Sequence, residues 1–290
     1  MPKRFSIGST DSRHISLRLM LGLLFSSGIG LAAYRRQSLE KSGVLAAIAS
    51  GTSIVGMGGW SWGLSLIYFF VSSSLLSHFR AHDKTRVAAD KFSKGSRRDI
   101  SQVVANGGLA TLFALLFGFS RSPRTRRLAK AGFTGALATA NADTWATELG
   151  VLSPSSPRLI TSGKPIAPGT SGGVTLLGMA ASALGACSLG FFFWVGQGFR
   201  KSLIPMPLLA LFSGMIGSCF DSILGATLQA MYYCPACKSE TERRIHRCGA
   251  RTQSLRGIEW MNNDMVNFLA TASGSIVAIG LGLYFLPEDE

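Results

Sequence analysis

Apolar residues fall in long blocks along the chain, separated by short segments rich in Lys and Arg. A helix crossing a bilayer core of about 30 Å needs about 20 mostly apolar residues. Segments near 17–34, 43–60, 62–79, 101–119, 131–152, 171–196, 203–232 and 265–286 meet that requirement or approach it. The pattern predicts an all-α fold: a polytopic transmembrane helical bundle of about eight spans, forming a single integral membrane domain over residues 1–290. Gly and Ser weaken 43–60, which suits the inside of a bundle, and polar residues interrupt 131–152 more heavily still. By parity the loops at 80–100, 153–170 and 233–264 share one side. The first and third are long and basic, so the positive-inside rule places that side in the cytoplasm. Arg121, Arg124, Arg126, Arg127 and Lys130 then lie opposite, together with the basic N-terminus. Either 101–119 is not a full crossing, or the charge rule is broken here.

Composition agrees with a membrane protein. Hydrophobic residues make up 47% and charged residues 15%, against roughly a quarter charged in a soluble domain. The 34 glycines suit helices whose backbones approach closely. The formal charge of +14 comes from cations that flank apolar runs, which points to anionic lipid or phosphorylated substrates and not to nucleic acid. Lys3, Arg4 and Arg13 precede the first apolar run, and no small-residue cleavage site follows it. That run reads as a first span and not as a removed signal peptide.

The candidate chemistry lies in polar residues inside the spans. In Ala140–Gly150, at about 100° per residue, Asn141, Asp143, Thr144, Thr147 and Glu148 fall within roughly 160° of arc. An ionised group in a span costs a few kcal/mol or more and normally faces a cavity or partner. The alternative is an amphipathic helix lying on the membrane surface, whose polar face would more often be Lys-rich. Further on, Gly217, Asp221, Gly225 and Gln229 recur every four residues on one stripe, where Asp221 either joins a site or simply ties two helices. Asn263, Asp264 and Asn267 share a face, though an N-cap would explain one of them. Asp99, Gln102 and Asn106 form a fourth stripe after Lys94, Arg97 and Arg98. Helices that direct Asp143, Glu148, Asp221 and Asp264 into one chamber would offer the oxygen ligands that Mg²⁺ prefers.

Downstream of the acidic helix, Arg158, Lys164 and the turn Gly169-Thr170-Ser171-Gly172-Gly173 lead into the span expected at 171. Gly-rich backbone at a helix start can present N–H groups to a phosphate, although such a turn is also ordinary loop chemistry. The basic loop 233–260 contains Cys234, Cys237, His246 and Cys248, a C-x₂-C-x₈-H-x-C pattern. Four such ligands suit a structural Zn²⁺ in a compact knuckle; reduced thiols or a disulfide are the alternatives. Cys187 and Cys219 sit in apolar spans and read as packing residues.

Ala140–Gly150, Gly169–Gly173, Asp221–Gln229 and Asn263–Asn267 together resemble the transmembrane protein 19 family, from about residue 40 onward. That family includes the plant phytyl-phosphate kinase. The order of acidic helix, Gly-rich loop and later Asp/Asn cluster is more distantly similar to dolichol and phytol kinases and to CTP-dependent phosphatidate cytidylyltransferases. The resemblance implies a nucleotide-dependent enzyme, with CTP the favoured donor, acting on a polyisoprenoid phosphate. On this reading a phosphoryl group passes to a prenyl monophosphate and gives the diphosphate. Asp143, Asp221 and Asp264 would be catalytic and would bind Mg²⁺, with Glu148 as a further ligand and Asn141 assisting. Arg158, Lys164 and Gly169 to Gly173 would hold phosphates, Arg97 and Arg98 the second polyanion, and Asn106 the substrate. The tail would lie between helices or in lipid. The same residues fit nucleotidyl transfer to a lipid phosphate, and intramembrane carboxylates also mark transporters. No internal duplication is visible, and the Gly-rich loop beside basic residues favours phosphate chemistry.

Overall fold

Each of the eight apolar segments forms a long helix in the computed structural model, which describes residues 10–88 and 97–287. Lys3, Arg4 and Lys94 lie outside the described residues, as does the side chain of Arg13. The helices are α1 (Thr10–Arg35), α2 (Lys41–Gly58), α3 (Trp60–His78), the short α4 (Ala81–Ala88), α5 (Ile100–Phe119), α6 (Pro123–Gly150), α7 (Leu176–Gly196), α8 (Met206–Thr227) and α9 (Asn263–Phe285). Five of them, α1, α5, α7, α8 and α9, are long and apolar enough to cross a membrane by length and composition. The other three long helices, α2, α3 and α6, carry the Gly, Ser and charged residues that dilute their hydropathy.

The least apolar helix sits at the centre. Residues 129–142 of α6 are buried on every side, so this segment is not a surface amphipathic helix. Small residues make that packing possible. A Cβ on Gly135 would lie 2.6 Å from the Gly274 carbonyl oxygen of α9, and one on Gly214 would lie 2.9 Å from the Ala138 oxygen. Glycine there lets α8 and α9 approach the α6 backbone closely. Trp62, Phe133 and Phe193 form an aromatic core, with ring centroids of Trp62 and Phe133 4.3 Å apart.

The helix ends explain the charge conflict at 121–130. α5 is one continuous helix, so 101–119 does run the full length. Arg126 stacks on Phe117, 3.9 Å from the ring centroid, and donates to the Phe117 carbonyl. Arg127 donates to the Leu286 carbonyl at the end of α9. These cations satisfy carbonyls at helix C-termini, where the dipole favours positive charge, so they do not report topology alone.

Boundaries shift where turn chemistry overrides hydropathy. α6 starts at Pro123 behind the Ser122 cap, eight residues before the apolar pattern begins. α7 starts at Leu176 and not at 171, because Gly173–Val174 (β2) pairs antiparallel with Arg158–Leu159 (β1) and Thr175 then caps the helix. α8 stops at Thr227, and the following loop carries a three-stranded antiparallel sheet. In that sheet β3 (Met231–Cys234) lies between β4 (Ser239–Thr241) and β5 (Gln253–Arg256).

Candidate functional site

The C-terminal ends of α3, α6 and α8 and the N-terminal ends of α5, α7 and α9 meet around one polar chamber of about 290 Å³. The α1–α2 turn joins them: Arg98 N–H donates to the Ser38 oxygen and Glu40 N–H to the Arg98 oxygen. The three loops expected on one side are therefore at one end of the bundle.

From α6 the chamber receives Asp143, Thr144, Thr147 and Glu148. Asp143 accepts a 3.4 Å hydrogen bond from Ser218 of α8. Asp221, two turns up the same wall from Gly214, lies within electrostatic reach of both Asp143 and Glu242. Its Oδ2 is buried and has no hydrogen-bond partner among the described residues. A buried carboxylate oxygen without a donor is costly unless a cation or proton satisfies it, so these two carboxylates could hold a hard cation between them or share a proton. Glu148 is engaged differently. Ser77 donates to one oxygen at 2.6 Å and Lys84 to the other at 2.5 Å, in a largely buried ion pair. Asn141 is fully buried, donates to the Gly185 oxygen at 2.7 Å and accepts from Ser72 at 3.0 Å. It ties α6 to α3 and α7 and does not line the chamber.

The first two turns of α5 contribute Gln102 and Asn106, and Asp99, just before the helix, is the N-cap of a capping box with Gln102. Arg98 lines the chamber; burial lowers its pKa and the Glu148 charge opposes that shift. A guanidinium stays charged regardless. Arg97 instead stacks over Tyr34, 5.9 Å from the ring centroid, and is not in the chamber wall.

Gly169 to Gly173 all line the chamber. The loop lies directly on α8: a Cβ at Gly225 would fall 2.6 Å from Ser171 Oγ. Gly172 has φ +84°, and a Cβ on it would fall 2.5 Å from Ala226 Cβ. Thr170 N–H and Gly173 N–H already donate to the Ala167 and Thr170 oxygens, so these two do not face an anion. Arg158 donates to the Gly163 carbonyl, and it and Lys164 stand exposed on the outer turn, away from the chamber wall.

Two groups in this region carry no sequence signal as partners. Ser171 donates at 2.5 Å to the side-chain oxygen of Gln229, itself only 1% exposed, and the Gln229 amide donates at 2.8 Å to Glu242. Arg256 of β5 donates to the Gly225 and Ala226 carbonyls that end α8, and reaches the Ser171 oxygen. Burial lowers the pKa of Arg256, with Glu240 opposing. The sheet is thus bonded to the loop that lines the chamber.

At α9 the cap is Asn262, which accepts from Met265 N–H. Asn263 and Asn267 line the chamber, whereas Asp264 lines an adjoining recess that shares Glu242 and Asn263 with it. Cys219 is in the chamber wall, beyond the packing role expected of it.

Cys234, Cys237, His246 and Cys248 come together, their ligand atoms all within 4.8 Å of one another, the one such group found among the described residues. All are free thiols apart from the histidine. Cys234 and Cys248 sulfurs are 3.7 Å apart and His246 Nδ1 is 3.2 Å from Cys248 Sγ. Tetrahedral thiolates at about 2.3 Å from a metal stand roughly 3.8 Å apart, so the set can hold a metal ion. The Ala250 N–H and His246 lower the Cys248 thiol to about 6, and its hydrogen bond with Cys248 raises Cys237 to about 11.

The sequence profile of the family described as "Integral membrane protein DUF92" matches residues 24–275. The chain belongs to this family. It is an integral membrane protein, and the membership bears out the resemblance drawn from the motifs. Protein PGR of Arabidopsis thaliana is 34% identical over 87% of the chain and 92% of its own length. An uncharacterized membrane protein of Methanocaldococcus jannaschii is 28% identical over 93% of the chain and 96% of its own length. "Protein VTE6, chloroplastic" of Arabidopsis thaliana is 24% identical over 86% of the chain and 66% of its own length. No solved structure matches the chain.

Proposed function

We propose that this protein is a kinase that transfers the terminal phosphoryl group of a nucleoside triphosphate, CTP favoured, to a polyisoprenyl monophosphate. The observation that carries the reading is the joint placement of Asp143, Asp221, Arg98 and the Gly169–Gly173 loop around one chamber at the bundle end. The family resemblance supplies the lipid phosphate as acceptor and CTP as donor.

An acceptor phosphate is already ionised near neutral pH and needs no strong base. Its oxygen attacks the γ-phosphorus, the bond to the β–γ bridging oxygen breaks, and the nucleoside diphosphate leaves with that electron pair. Catalysis is then a matter of aligning two polyanions and offsetting their repulsion. Asp143 and Asp221 would hold Mg²⁺, which supplies charge neutralisation between the phosphates. Arg98 would pair with the acceptor phosphate, and Ser171 and Gly172 would sit against the donor. Asp264, in the adjoining recess, and Glu148, paired with Lys84, are placed less directly for metal binding. Structural Zn²⁺ at the Cys234, Cys237, His246 and Cys248 cluster belongs to the same reading: it would hold the sheet from which Arg256, and Glu242 just after β4, brace the loop.

Purified protein in lipid–detergent micelles, given farnesyl or phytyl phosphate, Mg²⁺ and each nucleoside triphosphate in turn, tests this. The expected result is prenyl diphosphate plus nucleoside diphosphate, reduced at least about a hundredfold by Asp143→Asn or Asp221→Asn. Pyrophosphate release with a nucleotide-linked lipid would replace the kinase by a nucleotidyltransferase. Solute flux into liposomes without nucleotide turnover would replace it by a transporter.

A further inference from the structure

A second cavity, about 310 Å³ and almost wholly apolar, lies among α1, α2, α3 and the start of α5. It shares Arg98, Gln102, Asn106 and Thr144 with the polar chamber, so the two spaces meet across a common wall. The Arg98 guanidinium marks the junction. It lines both spaces and stands 6.0 and 5.7 Å from the ring centroids of Phe69 and Phe70. Along α3 the cavity wall runs from Trp60 to Phe70. At 1.5 Å per residue that is a groove about 15 Å long. Phe25, Trp60 and Leu64 on its wall are exposed at the bundle surface, which opens the groove sideways to the bilayer. Gly107 of α5 is buried, yet a Cβ built on it meets no heavy atom within 4 Å; it faces the open space of the groove.

We propose that this groove binds the hydrocarbon tail of the lipid phosphate acceptor, with the phosphate held at Arg98 and the tail running along α3 toward the Phe25–Trp60 pair. This rests on the reading that the polar chamber receives a lipid-borne phosphate. One amphiphile satisfies both halves of the geometry. An apolar groove that ends at a half-buried cation beside a carboxylate-lined chamber matches a ligand with a single anionic head and a single apolar chain. A phospholipid with two acyl chains and a bulky head fits the single groove and its junction poorly. Burial of the tail would also set a preference among acceptors, because each added buried methylene improves binding until the groove is full. Turnover is therefore expected to rise from dimethylallyl to farnesyl phosphate. Gly107 is the specificity-determining position, since a side chain there enters the groove next to the junction.

The test uses full-length protein in lipid nanodiscs and a prenyl monophosphate bearing a diazirine near the tail end, without nucleotide. Photolabelling is expected on peptides of α1 and α3 containing Phe25, Trp60 or Leu64. Excess farnesyl phosphate should suppress it and added phosphatidylcholine should not. Gly107→Phe should cut labelling at least about tenfold, and the farnesyl-to-dimethylallyl turnover ratio by a similar factor, the range seen when a hydrophobic pocket is blocked. Gly280→Phe, on an exposed face of α9 where an added Cβ meets nothing, tests for a general effect of bulk and should label as wild type does. Labels confined to outward-facing positions such as Leu184 or Tyr284, equal competition by phosphatidylcholine, or undiminished labelling in Gly107→Phe would overturn the proposal. Groove labelling without any nucleotide turnover would leave the groove standing and remove the kinase reading. Turnover with scattered labels would do the reverse.

Discussion

Replacing Gly172 by alanine perturbs the chamber loop without removing any charge or hydrogen-bonding side chain. Gly172 has φ +84°, and an added Cβ would lie 2.5 to 2.7 Å from Ala226 Cβ, Cα and N. Left-handed backbone costs a non-glycine residue roughly 1–2 kcal/mol. Overpacking against helix backbone that cannot yield adds about 1–3 kcal/mol. The loop has a cheaper response, which is to lift off α8 and give up the Ser171–Gln229 hydrogen bond, worth about 0.5–1.5 kcal/mol. The protein should therefore fold, with stability lowered by about 1.5–3.5 kcal/mol, while Ser171 and Gly172 are displaced from the chamber. A misplacement of about 1 Å in a positioning group can cost about a hundredfold in rate. Steady-state kinetics in micelles, read beside a thermal unfolding curve, should show turnover falling by that order with a lowered midpoint. Gly163→Ala is the matched control: its φ is +67°, nothing lies within 4 Å of its Cβ, and it stands on the exposed turn outside the chamber. It should carry similar backbone strain and keep its activity. Wild-type turnover in well-folded Gly172→Ala would refute a role for the loop.

Two further perturbations probe the supports of the site. Chelation, or Cys234→Ser, should release one zinc per chain and make residues 235–250 sensitive to protease, because ligand binding and folding of such loops are one event; well-folded protein free of zinc on elemental analysis removes the claim. Activity should fall with the metal, since Glu242 directly follows β4 and Arg256 lies on β5 of the same sheet. Asn141→Ala should lower stability by about 2–5 kcal/mol, because the Gly185 oxygen and Ser72 lose buried partners. Turnover per folded molecule should survive, so a loss of rate at unchanged stability would restore Asn141 to the site.

The eight long helices were legible because a run of about 20 apolar residues has few stable alternatives in a bilayer. The polar face of α6 was legible too, since Asp143, Thr144, Thr147 and Glu148 share one arc at helical spacing. The Cys/His cluster followed from its spacing, because four ligands within a short loop can reach one point with little chain rearrangement. The start of α7 was misplaced by five residues because hydropathy does not register Thr175 as a cap or the pairing of Gly173 with Leu159.

Roles within the chamber were a different matter. Spacing put Asn263, Asp264 and Asn267 on one face, but the start of α9 stands between two recesses and Asp264 turns into the other. Asn141 and Glu148 lie on the same helix arc as Asp143, yet the first is consumed by α3 and α7 and the second by Lys84. Local periodicity determines which residues a helix presents together. Which of them is left for a ligand depends on donors contributed by chain segments tens of residues away, as with Ser171 and Gln229, and only the packed bundle decides that.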